Sequence, residues 1–355
     1  MSRFMNKRYA TLEAYTPGEQ PKDKQYIKLN TNESPYPPAP RVLDVLNRPA
    51  GAALRLYSDP EATQLREAIA QRYGRTAEEV FVSNGSDDSL NFAFMAFGGD
   101  GAVFPALTYS FYRVFGDLHG IPYEEVPQNE DLSVSVDGLC GKNCLTVLAN
   151  PNAPTGLSLP LSDIERILQS NPDHVVLVDE AYVDFGGTSA VSLLDRYKNL
   201  LVVMTYSKSR GLAGARLGFA LGHRDLIQDL ETLKYSTNPY NVGRLPQALG
   251  VAAMEAKAYY QNITHKIMET RERTAEALKD LGFVMPESKT NFLFIRREGL
   301  DGTAYYQKLK ERGVLVRHFS APELAPYNRV TIGTPEEMAA FLTLTEEILR
   351  EEGLL

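Results

Sequence analysis

Consecutive apolar residues mark the strands of this chain more clearly than any other pattern. Val175–Val178 and Leu200–Met204 are unbroken apolar runs, and Leu145–Ala149 is nearly so. A strand that is apolar at successive positions has no solvent face, as expected for a sheet covered on both sides. Val80–Ser83 and Ala102–Phe104 read as shorter strands of the same kind. Between them the period changes. Glu61–Tyr73 carries apolar residues at helical spacing and stops at Gly74, and Ser89–Phe97 reads as another helix. Strands alternating with helices predict a largely parallel sheet with crossover connections, an α/β fold. A long helical stretch from Leu245 to Leu281 follows, ended by Gly282. Beyond it come strands Asn291–Ile295, Val314–Arg317 and Arg329–Ile332, a helix over Thr303–Arg312 and a last helix, as in a smaller α+β lobe.

At 355 residues the chain exceeds what one compact core usually serves, so two lobes are expected. The predicted division is an N-terminal arm over 1–40, a large domain over 41–250, and an interdomain helix with a small domain over 251–355. The arm is dense in Pro, Asn and Tyr around Leu29–Pro38, which forbids a helix and favours extended chain. With 43% apolar and 23% charged residues the composition is that of a globular enzyme. A net charge of −8 argues against a nucleic-acid binder, whose binding face is strongly basic. No apolar run approaches membrane-spanning length, and none of signal-peptide length follows Met1–Arg8, so a cytoplasmic protein is expected. Cys140 and Cys144 lack a second Cys/His pair at ligand spacing, and no metal is expected.

The candidate chemistry lies just beyond the predicted strands, where open parallel sheets bind ligands. Thr205–Gly218 follows the run Leu200–Met204 and carries Lys208 and, eight positions on, Arg216 in a loop of small residues. A partly desolvated lysine is a candidate imine-forming nucleophile; a solvated surface lysine is the alternative. Asp179 and Glu180 follow Val175–Val178, with Tyr182 close behind. A carboxylate there can hold a cation such as a protonated ring nitrogen, or cap a helix. Asn84–Asp87 stands between a strand and a helix start, suited to a phosphate or to ordinary capping. Ala149–Gly156 is a proline-punctuated turn that can present an amide and backbone groups. Tyr109 offers a ring for stacking on a planar group or for core packing. Arg329 can clamp a carboxylate with two parallel bonds or form a surface ion pair. An imine lysine, a ring-nitrogen acid, a phosphate cradle and a stacking aromatic together meet the needs of pyridoxal phosphate.

On these segments, with Tyr57–Pro60 and Leu29–Pro35, the chain resembles the fold-type I, aspartate-aminotransferase-like enzymes, and more narrowly the histidinol-phosphate aminotransferases. The resemblance implies a large domain with a mostly parallel central sheet flanked by helices, a smaller α+β domain, and a homodimer with shared active sites. It implies pyridoxal phosphate as cofactor, Lys208 as the lysine bonded to it and as proton carrier, Asp179 on the ring nitrogen and Tyr182 on the phenolic oxygen. Gly85, Ser86, Ser207 and Arg216 would hold the phosphate, Tyr109 would stack on the ring, and Tyr57 would reach the neighbouring subunit's phosphate. Arg329 would take the α-carboxylate of an amino-acid partner, Asn32 and Tyr15 would cover the substrate, and Arg317 would meet an anionic distal group. One departure stands out: the family places an asparagine where this chain has Ala153, which leaves Asn152 or Tyr182 to make that contact. The implied reaction is transamination of L-histidinol phosphate with 2-oxoglutarate in histidine biosynthesis. Aromatic amino-acid transamination and threonine-phosphate decarboxylation are the alternatives on the same scaffold.

Overall fold

The computed structural model describes residues 2–9, 12, 18–47 and 51–355. Its strands, in chain order, are β1 (Ile27–Leu29), β2 (Val80–Ser83), β3 (Ala102–Pro105), β4 (Tyr123–Val126), β5 (Leu145–Ala149), β6 (Val176–Asp179), β7 (Leu200–Thr205), β8 (Gly218–Gly222), β9 (Phe283–Val284), β10 (Phe292–Arg297), β11 (Val314–His318) and β12 (Asn328–Thr331). Seven of them form one sheet in the order β2-β8-β7-β6-β5-β3-β4. Every pairing in it is parallel except those of β8, which runs against both β2 and β7.

Alternate residues of each central strand enter different cores, as the period of two requires. Val176, Val178, Leu200, Val202 and Met204 pack on one side of the sheet. Leu177, Leu201 and Val203 pack on the other. Complete burial of such a side chain contributes roughly 1.5–3 kcal/mol, so β5, β6 and β7 make a rigid platform for whatever follows their ends. The crossover helices Ser86–Phe97, Phe111–His119 and Leu161–Ser170 lie between successive parallel strands.

The other five strands form a second sheet, β1-β11-β12-β10-β9. Here β1, from the N-terminal arm, runs parallel to β11, and the remaining pairs are antiparallel. Ile27–Leu29 of the arm is thus a strand of the C-terminal lobe's sheet. The core of this lobe also takes in Ala153, Tyr182 and Phe185 from loops of the first sheet.

The helical stretch read as continuous from Leu245 to Leu281 is two helices, Arg244–Glu255 and Lys257–Asp280. Ala256 (φ −91°, ψ 33°) breaks the ladder between them. The apolar stripe changes clients at that point. Leu249, Ala252 and Ala253 serve the first core, while Ile263, Ile267 and Leu278 serve that of the C-terminal lobe.

Candidate active site

Because β2, β3, β5, β6 and β7 run in one direction, their carboxyl ends share one edge of the sheet. That edge receives Gly85–Ser86, Tyr109, Asn152, Asp179 and Ser207–Lys208. The reversed strand β8 starts at the same edge, which brings Arg216 there as well.

Asp179 is the last residue of β6 and is buried. Its Oδ2 accepts from the Tyr112 hydroxyl (3.0 Å) and its Oδ1 from the Ala181 N–H (3.2 Å). Burial pushes its carboxyl up to about 6, against the pull of those two bonds and of the Lys208 charge. A carboxyl raised by desolvation is one that a cationic partner would relieve. Next to it, burial pushes Glu180 up to about 8. Its side chain points elsewhere, accepting from Ser189 Oγ (2.6 Å) and the Ala190 N–H (2.5 Å).

Lys208 is half-buried, three residues past the end of β7. Its Nζ donates to the Thr31 carbonyl (3.2 Å) and lies 5.7 Å from the centre of the Tyr182 ring. The Tyr182 hydroxyl accepts from Asn32 Nδ2 (2.9 Å), which leaves its own proton to donate. Asn32 is itself held in the left-handed region (φ 56°). Its N–H and Oδ1 both meet Thr331 Oγ1 (3.0 and 2.9 Å), and its carbonyl accepts from Asn291 Nδ2 (3.0 Å). Four bonds over a buried asparagine make it a rigid element of the wall.

The opposite end of the site is shaped for an anion. Ser86 opens the helix Ser86–Phe97, whose first N–H groups have no partner within the helix. A Cβ on Gly218 would stand 2.4 Å from the Ser86 nitrogen, and one on Gly85 (φ 85°) would stand 2.6 Å from Arg216 Nη2. Only glycine permits this approach. Arg216 adopts φ 49°, a conformation that costs a side-chain-bearing residue roughly 1–2 kcal/mol. Its Nη2 lies 3.2 Å from Asp87 Oδ2, and the Tyr109 hydroxyl donates to Asp87 Oδ1 (2.9 Å). Ser207 Oγ accepts from Thr205 Oγ1 (3.0 Å), so its own hydrogen is free for an acceptor in the cradle.

The departure at Ala153 has a definite geometry. Asn152 Nδ2 donates both its hydrogens, to the Leu107 carbonyl and to Thr155 Oγ1 (3.0 Å each), while Oδ1 accepts from Thr108 Oγ1 (2.9 Å). Asn152 braces the turn and has no hydrogen to spare for a ligand. The donor that faces the site there is Tyr182.

Arg329 and Arg317 are register partners on β12 and β11. Arg329 Nη2 donates to the Asn30 carbonyl (3.2 Å), and its guanidinium lies 5.2 Å from the Phe292 ring centre. No carboxylate of the described residues stands within salt-bridge distance of Arg317. Tyr57 is 78% exposed and stacked on Tyr240 at 4.5 Å. Tyr15 lies outside the described residues.

Residues 24–343 match the sequence profile of the family described as aminotransferase class I and II. The chain belongs to this family. It is 49% identical over 352 residues to a histidinol-phosphate aminotransferase of a Marinomonas species, covering 96% of this chain and 98% of that one. It is 46% identical to the enzyme so named from Clostridium acetobutylicum, over 98% of this chain and all of the other. Among solved structures, the histidinol-phosphate aminotransferase of Sinorhizobium meliloti in complex with pyridoxal-5'-phosphate is similar, with a TM-score of 0.83, 25% identity and 92% of each chain covered. The fold is thus that of the fold-type I α/β aminotransferases, and the chain is an aminotransferase that uses pyridoxal phosphate. The residues fit that cofactor: an amine, an acid kept from water, a hydroxyl with its proton left to donate and a glycine-walled anion cradle gather at one edge of the sheet.

Several residues of this cleft carried no signal in the sequence. Tyr112 on Asp179, Asp87 on Arg216, and Thr331 and Asn291 around Asn32 are contacts between distant segments. Tyr112 and Asp87 do fall inside segments rich in candidate groups, but nothing in their spacing named their partners.

Proposed function

We propose that this chain transfers the amino group of L-histidinol phosphate to 2-oxoglutarate, with pyridoxal phosphate attached to Lys208. The observation that carries the substrate is the near-complete alignment with histidinol-phosphate aminotransferases at 45–49% identity. The site is compatible with it. Arg317 and Arg329, register partners on β11 and β12, are two guanidinium groups able to take an anionic group with parallel bonds.

When bound, the cofactor supplies an electron sink for the carbon that bears the amine. The chain's own groups do the rest. Asp179, whose buried carboxyl a cationic partner would relieve, would pair as a carboxylate with the ring nitrogen and keep that nitrogen protonated. Tyr182 donates its free hydroxyl hydrogen, kept in line by Asn32. Lys208 Nζ moves a proton on the face of the site it occupies. Gly85, Ser86, Ser207 and Arg216 would hold the phosphate, and Tyr109 would stack on the ring. Asn32 and Tyr15 shield the substrate, with Arg329 and Arg317 taking its anionic groups.

The same reading divides the chain into an arm over 1–40, a large domain over 41–250 and a small domain over 251–355, and assigns it to the cytoplasm, in keeping with two free cysteines. It also makes the protein a homodimer. Leu54, Leu56, Tyr57 and Tyr240 are exposed by 63%, 52%, 78% and 41%, apolar side chains that the described residues leave in solvent. A second copy would cover it and would receive Tyr57 at its phosphate cradle.

The test uses the purified holoenzyme. Borohydride should fix the cofactor to Lys208, and Lys208→Ala should lose that adduct; an adduct retained on the variant would refute the lysine assignment. Half-reaction rates with histidinol phosphate, phenylalanine and threonine phosphate then decide the substrate. A preference for phenylalanine, or release of carbon dioxide from threonine phosphate, would overturn it.

A further inference from the structure

Behind Lys208 the chain turns into the protein interior instead of returning to solvent. Arg210 is only 6% exposed although it belongs to a loop. Its Nη1 donates to Asp184 Oδ2 (3.0 Å) and to Ser209 Oγ (3.1 Å), its Nη2 to the Tyr73 hydroxyl (3.0 Å). Its guanidinium lies 5.4 Å from the centre of the Tyr206 ring. Ser209 Oγ donates to the same oxygen of Asp184. Asp184 stands in the short turn Val183–Phe185, two residues past Tyr182. One carboxylate therefore ties the segment that carries Asp179 and Tyr182 to the segment that carries Ser207 and Lys208, from the side away from the cleft.

We infer that Asp184 and Arg210 are positioning residues that set the placement of Lys208 against Tyr182 and Asp179. The loop they anchor, Gly211–Ala215, has Leu212 as its one large side chain and can pack little else to hold its shape. Burying a guanidinium is costly, and an apolar filling would stabilise the fold as well or better. What the planar fork adds is direction, since it fixes three acceptors at once. A cavity of about 450 Å³ lined by Ser209, Arg210, Asp184, Tyr73 and Lys257 lies against this pair and is partly open to solvent. It gives small molecules access to the guanidinium site.

The inference rests on Lys208 being the cofactor lysine, so borohydride trapping on the wild-type protein is done first. Failure to trap there removes the site assignment, and the clamp with it. Given trapping, Arg210→Ala, Arg210→Lys and Asp184→Asn are compared for the rate at which the apoenzyme captures added pyridoxal phosphate, for kcat and KM, and for thermal unfolding. Misplacing a reacting group by about an ångström can cost up to roughly a hundredfold. Capture and kcat should therefore fall about tenfold to a hundredfold in Arg210→Ala and Asp184→Asn, with KM for the amino donor changed far less. Guanidinium at millimolar concentration should enter the cavity and restore Arg210→Ala toward wild type, and Arg210→Lys should recover part of the loss. Should Arg210→Ala not fold, Ser209→Ala removes one bond to Asp184 and should shift capture in the same direction by a smaller factor. Capture and kcat within about twofold of wild type in the folded variants would overturn the inference. So would losses that follow thermal stability alone and respond to neither guanidinium nor lysine.

Discussion

Asp179 and Glu180 are neighbours raised by the same cause, and they do different work. Asp179 ends a strand at the cleft, with Tyr112 and Ala181 as donors. Glu180 points to Ser189 and Ala190. Each is raised above its ordinary value, so the folded apoenzyme holds protons that the unfolded chain has released. Stability is then full below the ordinary value and falls as pH rises toward the raised one. The interval runs from 3.8 to about 6 for Asp179 and from 4.5 to about 8 for Glu180. Glu180→Gln keeps the shape of the protonated acid, with an NH2 for Ser189 and an oxygen for Ala190. The unfolding temperature of this apo variant should therefore decline less between pH 4.5 and about 8 than that of wild type; an unchanged slope would rule out Glu180 as its source. Asp179→Asn removes the proton-holding carboxylate from the cleft. Loss of one such electrostatic partner costs about a hundredfold to a thousandfold in kcat, and stopped-flow measurement of the half-reaction should show it. A kcat within a few-fold of wild type would remove Asp179 from the chemistry.

Among the elements, legibility followed burial. β5, β6 and β7 were readable because both their faces are covered and, apart from Thr146, Asp179 and Thr205, their positions are apolar. β4 was not, since Tyr123–Val126 lies at the sheet edge and carries two glutamates. β8 was not either: Gly218–Gly222 is short and bounded by glycines, which propensity reads as loop. Yet β8 is the strand whose reversal delivers Arg216 to the cleft. Its first residue makes a sharp test of the cradle. In Gly218→Ala the new Cβ meets the Ser86 nitrogen at 2.4 Å, so backbone must shift where the phosphate sits. Such overpacking costs roughly 1–3 kcal/mol, and cofactor affinity, read by equilibrium dialysis, should drop. Gly214→Ala, four residues earlier in the loop that leads into β8, meets nothing within 4 Å and is the control. Equal affinity in both variants would mean that the cradle is not where the phosphate binds.

For the whole molecule, the exposed stack of Tyr57 on Tyr240 is the feature that a single chain leaves unexplained. Sedimentation should give twice the mass of one chain. If Tyr57 reaches the partner's phosphate, Tyr57→Phe should weaken cofactor binding while leaving that mass unchanged. A mixed dimer of Tyr57→Phe with Lys208→Ala tests the sharing directly. Its one intact lysine lies in the Tyr57→Phe chain, in a site completed by the normal Tyr57 of the other, so cofactor should be held there with wild-type affinity. Affinity as weak as in the Tyr57→Phe homodimer would show that each tyrosine serves its own chain. The C-terminal lobe adds a second feature of this scale. β1 binds the arm into the far sheet, so Asn32 and Thr31 arrive at Tyr182 and Lys208 on a fixed frame.

The sequence by itself determined the α/β class, the buried strands and the loops beyond them that carry Lys208, Asp179, Gly85–Ser86 and Arg216. Those are local facts: apolar runs declare burial, and the groups that follow a strand must lie at its end. Tertiary structure alone decided which groups meet. Asn152 spends its amide on Thr108 and Thr155, a choice set by the packing of two loops. Tyr112 reaches Asp179 across 67 positions, and Thr331 reaches Asn32 across 299. Spacing along the chain carries no trace of such contacts, because strand order and strand direction, not sequence separation, set the distance between them.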